Sequence, residues 1–324
     1  MQRRNLMQCV GWTLAAPAAS WAQPTMKRVG WLGWRADTTP TPSVPLQAFR
    51  AGLADLGWKE GDNLVLEVRI GEREQAPALA AELLRAGVDV IAAQGAMVFA
   101  SRGHTGSTPL LFMINGDPVE AGLVASLARP GGLATGVTGL GVELSGKRLE
   151  IIKSAKPSMK RVALLANGRH AGVATELAAS RAVASALGLE LDYFPVANPG
   201  ELDTAFAAIS AYRPDAVVAF PDTLINQLAK RIAEFNTRLR LPSISGFSEF
   251  ALAGNLMSYG PNLAEFYRQL ARYADKILRG AKPAELPVEQ PTRLALTLNM
   301  NAASAIGLKL PPSLMLRADE VIRS

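Results

Sequence analysis

The side chains best placed to do chemistry in this chain are two aspartates and a few amides at the ends of short apolar runs. Asp117 follows the run 109–114, and Asp222 follows the run 215–220. A carboxylate there can hold a ligand ammonium or polar group. It can equally cap the next helix by accepting one of its first N–H groups. Gln94, Gly95 and Ala96 follow a third run, Asn115 stands two residues before Asp117, and Asn167 follows a fourth run in the second half. Small residues at such places leave helix N–H groups open to a ligand carboxylate. Three aromatic residues belong with this set. Trp34 either stacks on a ligand or packs against its own lobe. Phe247 and Tyr259 either wall a cleft or pack a hinge.

Signatures of catalysis are missing from the sequence. The segment 141–148 (Gly-Val-Glu-Leu-Ser-Gly-Lys-Arg) has the glycine and lysine spacing of a phosphate loop. Its eighth residue is Arg148, where a magnesium-binding hydroxyl is required, and Glu143 would set negative charge beside phosphates. A helix starting after Gly141, with Leu144, Ile151 and Ile152 on a core face, is the better expectation. His104 and His170 lie beside glycines and have no metal-ligand partner at close spacing. No nucleophile elbow, zinc-protease motif or dinucleotide glycine fingerprint occurs. No catalytic residue, metal or cofactor is expected.

The elements that must position these side chains come as one plan stated twice. Lys27-Arg28-Val29 opens a strand, and Lys160-Arg161-Val162 opens another. Each is followed by a helix ending in Leu-Gly (Leu56-Gly57 and Leu187-Gly188), then by an Asp entering a buried strand (Asp89 and Asp215). Strands are expected near 29–34, 63–70, 88–93 and 109–114, and near 161–166, 189–196, 215–220 and 242–245. Helices lie between them, and Leu263, Phe266, Leu270, Tyr273 and Ile277 mark a long later one. Strand–helix alternation predicts α/β architecture: two doubly wound, parallel-sheet lobes joined by a multi-strand hinge. Ligands of such sheets lie beyond the carboxyl ends of the strands, where the side chains above stand. The expected division is lobe 1 over 23–143 and 246–286, and lobe 2 over 144–245 and 287–324.

At 324 residues the chain is long for one core. Its pI of about 9.6 comes from scattered basic residues, with no run of five and no nucleic-acid signature, so nucleic acid is not an expected partner. Residues 1–22 read as an export signal: Arg3 and Arg4, a short apolar stretch, then Ser20-Trp21-Ala22 before the cut. The paired arginines admit a twin-arginine route. Removal of the segment takes the single cysteine, Cys9, and leaves 32 basic against 28 acidic residues, a net +4. A mature chain without cysteine forms no disulfide and suits an oxidising compartment. No later segment is apolar enough to insert in a membrane.

Several motifs are familiar as a set. Gly116-Asp117-Pro118-Val119, Ser126-Leu127-Ala128-Arg129-Pro130-Gly131-Gly132, Ser258-Tyr259-Gly260-Pro261 and Leu286-Pro287-Val288-Glu289-Gln290-Pro291 resemble a family of ABC-transporter substrate-binding proteins, as do Ile277 to Pro283 and Ala305 to Leu308. The resemblance implies a type I periplasmic-binding-protein fold and a periplasmic location. It also implies a small-molecule solute, an amino acid or aromatic compound in some relatives, delivered to a membrane permease. An exported α/β enzyme using the same cleft is the rival expectation.

Overall fold

In the computed structural model, which describes residues 26–34, 43–170 and 172–323, Asp89 and Asp215 do one job in two places. The Asp89 carboxylate accepts the backbone N–H of Arg28 at 2.7 Å. The Asp215 carboxylate accepts those of Lys160 at 2.8 Å and Arg161 at 3.1 Å. Each pins the start of the first strand of its lobe. Those N–H groups hold the Asp215 carboxyl below its usual range, with the Lys156 ammonium at 3.1 Å adding to the effect and burial opposing it.

The first sheet has five strands: β1 (Lys27–Trp34), β2 (Leu64–Gly71), β3 (Val90–Gln94), β4 (Leu110–Ile114) and β5 (Ala134–Thr138), in the order β2-β1-β3-β4-β5. All its pairings are parallel. The second has seven: β6 (Arg161–Asn167), β7 (Glu190–Val196), β8 (Ala216–Ala219), β9 (Ser243–Ser245), β10 (Met257–Gly260), β11 (Ala295–Asn299) and β12 (Glu320–Ile322), in the order β12-β11-β10-β9-β8-β6-β7. Only β10 and β11 pair antiparallel. Central strands such as β3 and β4 are buried at every residue, because helices cover both faces.

Those helices are α1 (Val44–Asp55), α2 (Ala76–Arg85), α3 (Ala96–Ser101), α4 (Gly141–Ala155), α5 (Val173–Ala186), α6 (Leu202–Tyr212), α7 (Thr223–Gln227), α8 (Ala229–Arg238), α9 (Ser248–Leu252) and α10 (Leu263–Leu278). Helices α1 and α10 pack side by side on the first sheet. Gly52 lets them touch: a Cβ there would lie 2.8 Å from that of Ala271. Residues 141–155 are helical as expected, with Leu144, Ile151 and Ile152 buried. Arg148 of that helix is buried as well.

The chain passes between the lobes three times, at 139–141, 261–262 and 290–294. The expected lobe boundaries shift accordingly. Residues 246–260, read as first-lobe, add β10 to the second sheet, where it pairs with β9 and β11. Residues 287–289, read as second-lobe, bond along β5: Glu289 N–H donates to Gly136 O at 3.1 Å and Thr138 N–H to Glu289 O at 3.0 Å. Backbone pairing over long separations sets both, and local apolar pattern carries no sign of it. The expected signal segment 1–22, with Arg3, Arg4 and Cys9, lies outside the described residues. Among the described residues no helix is long and apolar enough to cross a membrane, and no His/Cys/Asp/Glu group is arranged to hold a metal.

Candidate functional site

The carboxyl ends of the two sheets face each other, and a cavity lies between them. First-lobe residues Trp34, Gln94, Gly95 and Asn115 line one side, and Asp222, Thr223 and Phe247 line the other. Six of the ten residues singled out in the sequence meet here. A smaller polar annex adjoins it, sharing Trp34, Asp222 and Thr223, and reaching Ala96, Asn167 and Arg169.

Asp222 is the N-cap of α7. Its Oδ1 accepts the N–H of Leu224 at 2.8 Å and the Asn167 amide at 3.0 Å. Both expected roles are therefore compatible in one side chain: one oxygen caps the helix, and Oδ2 has no partner among the described residues. Asn167 is committed to holding it, since its own Oδ1 accepts the N–H of Arg169 at 2.9 Å. Among the described residues Asp222 is the one carboxylate on the main cavity, whose walls also include Phe99, Met113, Leu263 and Tyr267. The described walls of this cavity are largely aromatic and aliphatic, with Gln94, Asn115, His170, Thr223, Asn226 and Gln227 among the polar members.

Tyr267 donates its hydroxyl to Gln94 Oε1 at 2.9 Å. Burial pushes its pKa far up, so it remains a neutral donor. The bond fixes the Gln94 amide at the end of β3. Trp31 packs against Tyr267 from behind in a tilted arrangement, ring centroids 5.6 Å apart. Sequence reasoning missed Leu263 and Tyr267 as wall residues. Their i, i+4 spacing on α10 was the available signal, but it matches core packing equally well. It also missed His170, whose ring lines the cavity from the second lobe.

The lobes touch around the cavity. Asn115 Nδ2 donates to Pro221 O across the cleft. Arg169 meets Glu74 at 2.9 Å, and Thr175 donates to Glu120 at 3.1 Å. Gly95 has φ +51°, and a Cβ there would come within 2.8 Å of Thr223 Oγ1, so a glycine is what lets Thr223 approach. Trp34 packs against apolar clusters of both lobes.

Asp117 and Tyr259 lie elsewhere. Asp117 is exposed, and its Oδ1 accepts the N–H groups of Val119 at 2.7 Å and Glu120 at 3.3 Å, so it caps a turn. Tyr259 packs on the second-lobe core, and its carbonyl accepts from Arg148 Nε at 3.0 Å. Of the two hinge aromatics, Phe247 walls the cavity while also packing with first-lobe residues.

Comparison with known proteins gives three further findings. A family described as ABC transporter substrate binding protein matches residues 42–322. A tyrosine-binding protein of Clostridioides difficile (strain R20291) is 21% identical over 274 residues, 83% of this chain and 78% of its own length. Among solved structures, an ABC domain from Streptococcus pneumonia in complex with L-Trp has a TM-score of 0.83 at 22% identity, covering 92% of this chain and 100% of its own. A ligand-free, open substrate-binding protein from Clostridium difficile has a TM-score of 0.63 at 21% identity, with the same two coverages. The likeness to these structures is one of fold: two α/β lobes of the type I periplasmic-binding-protein kind.

Proposed function

We propose, since the chain belongs to the ABC transporter substrate-binding protein family, that it is exported and captures an aromatic, ammonium-bearing small molecule, such as an aromatic amino acid, for delivery to a membrane permease. The Oδ2 of Asp222, without a partner among the described residues, in a cavity walled largely by aromatic and aliphatic side chains carries this reading. An ammonium satisfies that oxygen, and a ring fills the space between Trp34, Phe99 and Phe247. Clefts of this kind bind through apolar burial, with a few polar groups fixing orientation. A carboxylate on the same ligand would reach the annex, where Ala96 and Arg169 stand.

Capture works by closure. Asn115–Pro221, Arg169–Glu74 and Thr175–Glu120 are bonds that only approached lobes can make. The TM-scores support a closed arrangement, 0.83 against the L-Trp complex and 0.63 against the open form. The three crossings form the hinge, and the closed surface is what a permease would read. A periplasmic location follows from the expected signal segment.

The test is a thermal-shift series with L-tryptophan, L-tyrosine, tryptamine and indole-3-propionate. Binding at a hundredfold excess over Kd stabilises the protein by about 2.7 kcal/mol. L-Tryptophan or L-tyrosine should give that shift and be recovered unchanged, while the propionate, which lacks the amine, should not shift. No response to any of the four would refute the ligand class, and chemical turnover would favour an enzyme. A second expectation concerns closure. Asn115→Ala removes the cross-cleft bond to Pro221 and should speed ligand dissociation about fivefold, equivalent to one hydrogen bond of about 1 kcal/mol. Stopped-flow release would show it, and an unchanged rate would mean that the bond contributes nothing to the closed state.

A further inference from the structure

Behind the cavity two titratable side chains are buried, Arg148 on α4 and Glu176 on α5, with the partly buried His170 beside them in the turn before α5. Glu176 is 0% exposed, and neither of its carboxyl oxygens has a hydrogen-bond partner among the described residues. Arg148 is 1% exposed, and its Nη1 has none either. An ionised carboxylate buried without donors is strongly disfavoured.

The bond at His170 locates the proton. Gly172 N–H donates to His170 Nδ1 at 3.2 Å, so that nitrogen presents a lone pair and the ring is neutral, with its proton on Nε2. The same Nδ1 lies 3.8 Å from Glu176 Oε1. A lone pair facing a carboxylate repels it; a lone pair facing a protonated carboxyl does not. Burial agrees with this assignment, raising Glu176 to about 8 and lowering His170, with Arg148 and Asp222 opposing the respective shifts.

The cluster touches the first crossing, the approach to the second and the seam between the lobes. A Cβ on Gly141, in the first crossing, would lie 2.8 Å from Glu176 Oε1. Arg148 holds Tyr259 O near the second crossing, and a Cβ on Gly246 would come within 2.8 Å of its Nη2. Gly116 of the first lobe lies against Gly172 and His170, so opening the cleft uncovers the histidine turn. The other charged groups facing the pair are Glu143 on α4, Asp222 before α7 and, across the seam, Asp117 and Glu120.

We infer that Glu176 is a positioning residue for ligand capture: closure of the lobes passes the proton of a His170 imidazolium to the Glu176 carboxylate, leaving a neutral imidazole on the ligand cavity. The bond broken is Nδ1–H and the bond formed is O–H. Where the open-state histidine is already neutral, the proton comes from water. The inference rests on the cleft being the ligand site, but not on which ligand fills it.

The sign of the pH dependence follows from the two groups. In this closed form burial raises Glu176 to about 8 and lowers His170, and opening lets each return toward its ordinary value, near 4.5 for a Glu and 6.5 for a His. Below pH 6.5, uptake by Glu176 and release by His170 oppose each other, and affinity varies little. From 6.5 to about 8, closure takes up one net proton, and affinity falls about tenfold per pH unit. In Glu176→Gln that fall disappears, and affinity instead drops toward acid below 6.5. In His170→Gln the fall extends over the whole range from 4.5 to 8.

Calorimetric titration with L-tryptophan from pH 5 to 9 reads these three profiles. Parallel profiles in wild type and Glu176→Gln overturn the inference. If L-tryptophan does not bind at any pH, a ligand-free measurement decides the proton question. A Cβ at position 95 lies 3.7 Å from that of Thr223, within disulfide range, so Gly95→Cys with Thr223→Cys should lock the lobes closed despite the strained φ. Carboxyl carbon NMR of that protein, with the signal assigned by Glu176→Gln, should show titration near 8 when oxidised and a lower value when reduced. Ordinary titration in the oxidised form, or no change on reduction, overturns the inference.

Discussion

Asp222→Asn should weaken ligand binding by about 3 kcal/mol, roughly two orders of magnitude in Kd, while the fold stays intact. Asparagine keeps an oxygen where Oδ1 accepts from Leu224 and Asn167, so the α7 cap survives. What changes is the other atom, where an amide donor replaces the oxygen proposed to meet the ammonium. Asp222→Ala removes both functions, and should also lower unfolding stability by about 1 kcal/mol through the lost cap. Calorimetric binding and chemical denaturation on the two variants separate the roles. Equal affinities in wild type and Asp222→Asn would refute the ammonium anchor.

Gly260→Ala carries the second large effect. Gly260 ends β10, just before the chain crosses back to the first lobe. A Cβ there would strike Gly246 O well inside contact distance and lie 3.1 Å from its carbonyl carbon. Both partners are backbone, so no rotamer relieves the clash. Destabilisation of about 3 kcal/mol is expected, with the second crossing displaced. Because Phe247 follows Gly246 and walls the cavity, ligand affinity should fall as well. Denaturation midpoints together with ligand titration check this, and a midpoint equal to wild type would mean that the crossing shifts without cost.

Much of this arrangement is legible in the residues alone. The doubled Lys-Arg-Val and Asp pattern marks two lobes because each lobe needs the same lock on its first strand. Apolar runs ending in Gln94, Asn115, Asn167 and Asp222 mark the cleft because parallel strands deliver their carboxyl ends to one edge. The strand β5 is not legible: Ala134-Thr135-Gly136-Val137-Thr138 has neither a long apolar run nor clear alternation. Nor is the lobe membership of β10, which depends on partners over 30 residues away in one direction. Asp117 and Asp222 occupy matching places and part only in three dimensions. One turns its carboxylate to a local cap at the surface, while the other is held by Asn167 at the cavity.

Trp34 gives the closed form an optical signature. Of the five tryptophans in the sequence, Trp12 and Trp21 precede the expected cleavage site, leaving Trp31, Trp34 and Trp58. Trp31 is buried in the first-lobe core, and Trp58 donates its Nε1–H to Asp275 at 2.9 Å on the outer helices. Trp34 alone packs against both lobes and lines the cavity. Parting the lobes exchanges one side of its indole from side chains to water, while the other two rings keep their surroundings. Intrinsic emission should therefore report opening and closing through a single ring, without an attached dye.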